Sequence, residues 1–186
     1  MLLAAGGSTR LGEPKQLLRR RGVPLLVHAI EAGEAAVGSP VVAVLGARAL
    51  TLRSVLRRRG VRARPVVNAK WRQGLASSLA AGLRALPPRT AALLVLVDQP
   101  NVGRAALERL VAAWRKRPAV PAAAFYDGRA GVPAILPPRH FAAARALSGD
   151  QGARALLRSL PDVTLVPMPE AAADVDTPED VRTVLR

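Results

Sequence analysis

The chain contains no cysteine, which removes disulfides and thiolate metal sites from consideration. Histidine is scarce as well: His28 and His140 are the only two, too few for a zinc centre built from three or four protein ligands. His28 lies in a helical pattern among Leu25, Leu26, Ala29 and Ile30 and reads as a packed or surface histidine. His140 follows Pro137-Pro138-Arg139 at a helix start. Aromatic residues make up 3% of the sequence, too little for the interleaved stacking platform that single-stranded nucleic acid requires. Acidic residues number 13 against 28 basic ones, a net charge of +15. Within the basic set lysine is nearly missing: Lys15, Lys70 and Lys116 are the only three, and arginine, with its planar fork, supplies the rest. The "RRR" blocks at 19–21 and 57–59 are short and separated. Solvated faces and anionic small molecules account for such charge without a nucleic-acid partner. Apolar runs such as "AALLVLV" at 91–97 are too short to span a bilayer. The N-terminus has no basic segment followed by an apolar core, so it does not read as a signal peptide. The expectation is a cytoplasmic protein with no membrane partner.

What is present is a regular alternation of strand and helix. With 186 residues, half of them hydrophobic, residues 1–186 are expected to form one globular domain. Residues 2–5 read as a short first strand. Segments 24–36, 48–59, 77–86 and 104–116 have helical apolar spacing, with Pro24 suited to a first turn, Gly60 a usual stop, and Pro87-Pro88 a terminator. Residues 41–45, 61–67 and 119–125 read as strands, and Pro65 places the second of these at an edge or an end. "AALLVLV" is the most strand-like segment and belongs at the centre of a sheet, covered on both faces. Residues 131–137 and 163–167 complete the strands; 139–147, 152–160 and 178–185 complete the helices. This rhythm predicts an α/β fold with a mostly parallel sheet. Ligands of such sheets bind beyond the carboxyl ends of the strands, which directs attention to the loop after the first strand, the loop around Gly74, and "VDQP" at 97–100.

The first of these loops, "LLAAGGSTRLGEPKQLL" at 2–18, runs from a strand into Gly6-Gly7 and then places Arg10 and Lys15 at short intervals. Paired glycines allow close backbone approach, successive amides form a concave anion site, and the two cations neutralise phosphate. The spacing fits neither the Walker A pattern nor G-x-G-x-x-G. An ordinary surface turn is the alternative.

The same residues closely resemble the signature L-A-A-G-x-S-x-R-M-G-x-x-K-x-L of the MobA-like nucleotidyltransferases, with Leu11 where methionine is commoner. "NAKWRQGLASSLAAGL" (68–83), "LVDQP" (96–100), "GVPAILPPRHF" (131–141), "SGDQGARALL" (148–157) and "DVDTPED" (174–180) extend the resemblance over nearly the whole chain. They are similar to the branch that makes molybdenum cofactor cytidylyltransferases. The resemblance implies a Rossmann-like three-layer sandwich of the nucleotide-diphospho-sugar transferase type. It also implies transfer of CMP from CTP to the phosphate of molybdopterin with release of pyrophosphate, supported by Mg²⁺. Molybdoenzyme maturation proteins are the macromolecular partners it suggests. Leu3-Ala4-Ala5-Gly6 stands where guanylyltransferases usually read L-A-G-G, which favours cytidine. The family usually has several residues ahead of this strand; here it begins at Met1, so either the strand is short or residues precede it.

Attack by an already ionised phosphate needs no general base, so the chemistry reduces to positioning and charge neutralisation. Arg10, Lys15 and Asp98 are the candidate catalytic residues. Leu3, Ala4, Ala5, Gly6, Gly7, Arg10, Lys15, Asn68, Gly74, Ser77 and Ser78 are the implied nucleotide-binding set. Asp98, at the end of the central strand, and Asp176, just ahead of a helix start, are the implied metal ligands; Asp174 is a weaker candidate. Turn or capping duty is the alternative for Asp98, and serine capping for Ser77 and Ser78. Thr177-Pro178-Glu179-Asp180 is explained by capping alone. Trp71 reads as packing under its loop. Gly149, Asp150, Gln151 and Gly152 form the implied acceptor-binding loop. Gln151 replaces the family's lysine there, and an ordinary loop capped by Asp150 is the other reading. Three alternatives to the cytidylyltransferase stay open: another phosphorylated acceptor, GTP as donor, and a non-catalytic nucleotide- or cofactor-binding protein.

Overall fold

The computed structural model describes residues 1–185. In chain order its elements are β1 (Leu2–Ala4), a small hairpin of β2 (Arg19–Arg20) and β3 (Val23–Pro24), α1 (Leu25–Val37), β4 (Val41–Leu45), α2 (Ala49–Arg58), β5 (Ala63–Val67), α3 (Leu75–Ala85), β6 (Ala92–Leu96), α4 (Arg104–Lys116), β7 (Ala122–Tyr126), β8 (Arg129–Leu136), α5 (Phe141–Arg145), α6 (Ala153–Ser159), β9 (Thr164–Pro167) and α7 (Pro178–Val184). Seven strands make one sheet in the order β5-β4-β1-β6-β8-β7-β9. β5, β4, β1 and β6 are mutually parallel, β8 is antiparallel to both of its neighbours, and β9 is parallel to β7.

Side-chain alternation explains why the strands are continuous apolar runs. Leu2, Ala4, Ala43, Leu45, Leu93 and Val95 enter one core with α1, α2 and α4. Leu3, Val42, Val44, Ala92 and Leu94 enter a second core with α3, α5 and α6. Period-two alternation sends neighbours to opposite faces, and helices cover both faces, so every position must be apolar. The result is the expected three-layer α/β sandwich. β6 lies in the middle of the strand order, and Pro65 lies in the outermost strand, where its missing N–H leaves no ladder bond unmade.

The direction of β8 was not legible in its apolar pattern. Its local signal is the Asp127-Gly128 pair, both residues with positive φ, which suits a tight hairpin between β7 and β8. Several helices are shorter than their sequence patterns: the span 139–147 resolves into a 3-10 turn at Pro138–His140 and the five-residue α5. In the other direction, α3 begins two residues earlier than its spacing predicts, at Leu75. Among the described residues no helix is long and apolar enough to cross a membrane.

The parallel strands β1, β4, β5 and β6 end at one edge of the sheet. The chain returns to that edge after β9, where the amide of Val175 donates to the carbonyl of Asp98 at 2.9 Å. Val175 is buried, so its neighbours Asp174 and Asp176 face outward. Asp176 is then held by the start of α7. Asp180 accepts from the amides of Asp176 and Thr177 at 2.9 and 2.7 Å, and Thr177 Oγ1 accepts from the Asp180 amide at 3.3 Å. This capping box was legible in the sequence. Thr177→Ala removes one half of it and is expected to cost about 1 kcal/mol, read as a fall in Tm of about 2–4 °C for a chain of this size; an unchanged Tm would show that Asp180 alone fixes this turn.

Candidate active site

The loop after β1 is shaped by side chains that tie its backbone back. Gln16 is buried, and its Nε2 donates to the carbonyls of Ala4 and Gly6 at 3.0 and 2.8 Å. Ser8 adopts φ +53°, and its carbonyl accepts from the amides of Leu11 and Gly12. Its hydroxyl accepts from the Lys15 amide at 3.1 Å. The amides of Gly6, Gly7 and Ser8 have no protein acceptor among the described residues. A run of unspent amides at the end of a strand is the concave donor set that an anion requires. The opposite wall is close. A Cβ on Gly46 would lie 2.6 Å from the Ala5 carbonyl and from Trp71, and one on Gly7 would lie 3.3 Å from the Trp71 ring. Trp71 therefore packs against the loop, as its sequence position suggested, while the Arg72 guanidinium stacks 4.5 Å above its ring.

Lys15 occupies the centre of the site. Its Nζ donates to Asp98 Oδ2 at 2.9 Å and to Asp176 Oδ1 at 2.6 Å. Arg10 donates to the other oxygen of Asp176 at 3.0 Å. Burial alone would lower the Lys15 ammonium, but the charge of Asp98 and the hydrogen bonds to Asp176 and Asp98 outweigh it and hold the group above its ordinary range. Asp174 joins the same negative patch. Loss of solvation first, then the charges of Asp98 and Asp176, push its carboxyl up to about 6. Among the three acids, Asp174 was the one the sequence pattern ranked lowest.

The loop carrying Asp98 is pinned from three directions. Gln99 is buried and donates to the carbonyls of Val132 and Ala171 at 2.9 and 2.8 Å. The Pro100 carbonyl accepts from Arg20 of the small hairpin and lies 3.2 Å from His28 Nε2. Burial, then the charge of Arg20, lowers the His28 pKa, so the neutral ring donates to that carbonyl. His28 is a packed histidine, and Gln16, Arg20 and Gln99 are positioning residues that the motif reading passed over. For Gln16 and Gln99 the signal was a polar side chain next to Lys15 and Asp98 respectively; Arg20, inside the Arg19–Arg21 block, carried none.

Leu3, Ala4, Ala5, Gly6, Lys15, Gly74, Ser78, Asp98 and Asp150 all line one cleft of about 640 Å³, so the separate sequence motifs converge on one place. Several other candidates serve its walls instead. Asn68 is buried and donates to the hydroxyls of Ser77 and Ser78 at 2.9 and 3.0 Å. Ser77 in turn donates to the carbonyls of Lys70 and Gly74. Gly74 has φ +98°, and a Cβ there would lie 2.2 Å from the Gly149 carbonyl. That carbonyl accepts from the Ala76 amide, so the 149–152 loop caps one amide of the first turn of α3. A Cβ on Gly152 would meet Leu75 at 2.6 Å. Gln151 is exposed. A second cavity of about 530 Å³ lies at the opposite edge of the sheet, between Pro40, Leu86 and Trp114. Its lining is largely apolar and lacks paired carboxylates, so the chemistry belongs to the first cleft.

The donor set fits a divalent cation. Asp98 Oδ1 is buried without a hydrogen-bond partner, and Asp98 and Asp176 already share one cation in Lys15. No group of three or more His, Cys, Asp or Glu arranged to hold a metal occurs among the described residues. A pair of carboxylates suits an ion that keeps most of its coordination for water and substrate phosphates, as Mg²⁺ does.

A nucleotide-sized cleft at the carboxyl edge of a parallel sheet, with a glycine loop on one side and cation-bridged carboxylates on the other, defines a class of proteins that handle nucleoside phosphates. This chain belongs to the family described as the MobA-like NTP transferase domain, whose model matches residues 1–163. It is 37% identical over 194 residues to the nicotine blue oxidoreductase of Paenarthrobacter nicotinovorans, covering 99% of this chain and 91% of that protein. It is also similar to Rv0371c of Mycobacterium tuberculosis, with a TM-score of 0.81 and 30% identity over 99% of this chain and 95% of that one. The Mycobacterium protein has been solved as a complex with manganese as well. A nucleotidyl transferase from Methanothermobacter thermautotroptrophicus shares the fold, with a TM-score of 0.82 at 22% identity over 99% of this chain and 94% of that one.

Two predictions follow from the charge arrangement. Because Lys15 occupies the space between the carboxylates, Lys15→Met is expected to strengthen Mn²⁺ binding to the nucleotide-free protein by about tenfold or more, measured by titration with paramagnetic resonance. Equal or weaker Mn²⁺ affinity would show that metal and ammonium do not compete for one place. The second concerns Asp174. The folded protein holds its proton up to about pH 6, whereas the unfolded chain releases it near 3.8. The stability associated with this proton is complete below the lower value and lost as pH rises through the higher one. Asp174→Asn mimics the protonated form, so in chelator it should raise Tm at neutral pH, with the gain vanishing as pH falls towards 4. A gain that is independent of pH would assign the effect to packing.

Proposed function

We propose that the protein transfers the CMP moiety of CTP to the phosphate of molybdopterin and releases pyrophosphate, with Mg²⁺ as the assisting metal. The observation that carries this reading is the bridge of Lys15 between Asp98 and Asp176 beside a glycine loop with unspent amides. In the reaction an acceptor phosphate oxygen bonds to the α-phosphorus of CTP. The bond from that phosphorus to the bridging oxygen breaks, and pyrophosphate leaves with the electron pair. No proton need be removed from the nucleophile, which suits a site without a catalytic histidine.

The chain's own groups supply the rest. The amides of Gly6, Gly7 and Ser8 receive phosphate oxygens, and Arg10 and Lys15 neutralise the triphosphate as negative charge moves onto the leaving group. The Gly74 and Gly149–Gly152 loops wall the cleft and orient nucleotide and acceptor. Asp98 and Asp176 are the residues that would hold the metal, which when bound supplies Lewis-acid neutralisation at the reacting phosphates. Cytidine over guanosine is supported by Ala5, which lines the cleft where a glycine would leave more room for a purine. Two fold relatives are consistent with the chemistry: the Methanothermobacter nucleotidyl transferase, and a CMP-2-keto-3-deoxy-manno-octonic acid synthetase solved with CTP, at a TM-score of 0.75 and 15% identity.

The name of the Paenarthrobacter relative favours a second reading, oxidoreduction of a dye-like substrate in the same cleft. Electron transfer makes no demand for paired carboxylates bridged by a cation, which is why we favour nucleotidyl transfer. The experiment is a pyrophosphate-release panel of CTP, GTP, ATP and UTP with molybdopterin and simple phosphate esters, run with Mg²⁺ and with chelator. A parallel assay follows the absorbance of nicotine blue in the presence of a chemical reductant. The expected result is Mg²⁺-dependent pyrophosphate release with CTP and molybdopterin, lowered on the order of a hundredfold or more by Asp98→Asn and less by Asp176→Asn, whose amide oxygen still reaches a metal. Dye bleaching without pyrophosphate release would establish the second reading, and equal turnover with GTP would remove the cytidine preference.

A further inference from the structure

The charge of this protein is unevenly placed. Between Glu34 and Asp98 the sequence contains no acidic residue and eleven basic ones. This stretch runs through β4, α2, β5, α3 and β6, and its β5 is the outermost strand at one end of the sheet. Among the described residues only one of its basic side chains, Arg62, has a carboxylate partner, Glu34 at 3.5 Å. Elsewhere acids stand among the arginines, and some pair with them, as Arg104 does with Glu108, Arg109 with Glu170 and Arg117 with Asp162. An arginine-rich composition accounts for many arginines, but not for the complete loss of their counter-charges over one stretch.

On this flank, charge coincides with an apolar groove. Between α2 and β5 lies a groove of about 460 Å³ with Leu56, Val61, Ala63 and Pro65 along its floor and Arg53 and Arg57 at its rim. Leu50 stands beside it and is 81% exposed. Arg58 and Arg59 line a second groove on the other side of α2, together with Arg19 of the small hairpin. β5 is an edge strand, but Pro65 interrupts its donors, which disfavours pairing with an added strand. The surface is therefore suited to recognition by side chains.

An apolar centre with guanidinium groups around it is the anatomy of a protein–protein contact. Nucleic acid would use aromatic stacking or a track of cations without an apolar floor. A membrane surface favours a broad row of protruding apolar side chains, whereas on α2 Leu50 alone protrudes, at the mouth of a groove flanked by arginines. We propose that α2 and β5 form a docking groove for an acidic segment of a partner protein, one that carries apolar residues between its carboxylates. Arginine forks at the rim would take the carboxylates in bidentate pairs, and the apolar residues would fill the groove. The groove runs from Leu50, near the start of α2, to Val61 and Ala63 at the start of β5, and it shares no lining residue with the cleft.

The test uses the full chain and a short synthetic peptide that alternates Glu with Leu. A Gln-for-Glu version, an oligothymidine of equal charge and vesicles of phosphatidylglycerol serve as the other arms. The peptide should bind, shift the amides of Leu50, Arg53 and Arg57 in NMR spectra, and weaken with added salt. Both the Gln version and the double variant R53E/R57E should lose about tenfold or more in affinity. Arg53 and Arg57 are exposed, and the variant's kcat/KM for CTP should equal that of the parent. The proposal fails if the oligothymidine or the vesicles bind as tightly as the peptide, if charge reversal leaves peptide affinity unchanged, or if the peptide shifts map to the cleft. It fails equally if charge reversal lowers kcat/KM for CTP, since the flank would then act by steering the substrate.

Discussion

An ammonium group between two carboxylates organises this molecule. Lys15 comes from the loop after β1, Asp98 from the end of β6, and Asp176 from the segment that precedes α7. Without a cation at that point the two acids would face each other across a half-buried cleft and repel. The same requirement makes the site adaptable: what the acids demand is positive charge, whether it comes from Lys15, from a metal, or from both acting on a polyphosphate.

The convergence of those three segments depends on amides and carbonyls more than on charge. Gln16 fastens the loop after β1 to its own strand, and Gln99 fastens the Asp98 loop to Val132 and Ala171. Each is a neutral side chain buried in an apolar setting whose amide nitrogen meets two carbonyls while its Oε1 has no protein partner, so it is the two donated bonds that fix each loop. The carbonyls they restrain leave the amides of Gly6, Gly7 and Ser8 available. Gly74 plays the corresponding part on the far wall, since only a residue without a side chain admits the Gly149 carbonyl that caps one amide of the first turn of α3. Loops that resembled separate binding motifs are in this way joined into one wall.

The positive charge of the chain has two distinct settings. Near the cleft it is matched with acids, as Lys15 and Arg10 are with Asp98 and Asp176, and its role is internal. Along α2 and β5 it has almost no matching acid and borders an apolar groove. The first arrangement suits small polyanions that displace an existing ion pair, and the second suits a larger surface that brings its own carboxylates.

Local sequence determined a great deal here. Apolar runs covered on both faces specified a parallel-rich sheet, Pro65 an edge, Thr177 to Asp180 a helix start, and Gly6-Gly7 with Arg10 and Lys15 a glycine loop bearing two cations. These features depend on near neighbours or on the periodicity of one element, so they are written in consecutive residues. Strand direction in β8, the cap placed on α3 by Gly149, the raised proton affinity of Asp174, and the bracing of Pro100 by Arg20 and His28 were decided by the tertiary structure. Each of those depends on groups many residues apart, and hydrogen bonds and electric fields act through space, so they exist only once the sheet has brought the strand ends together.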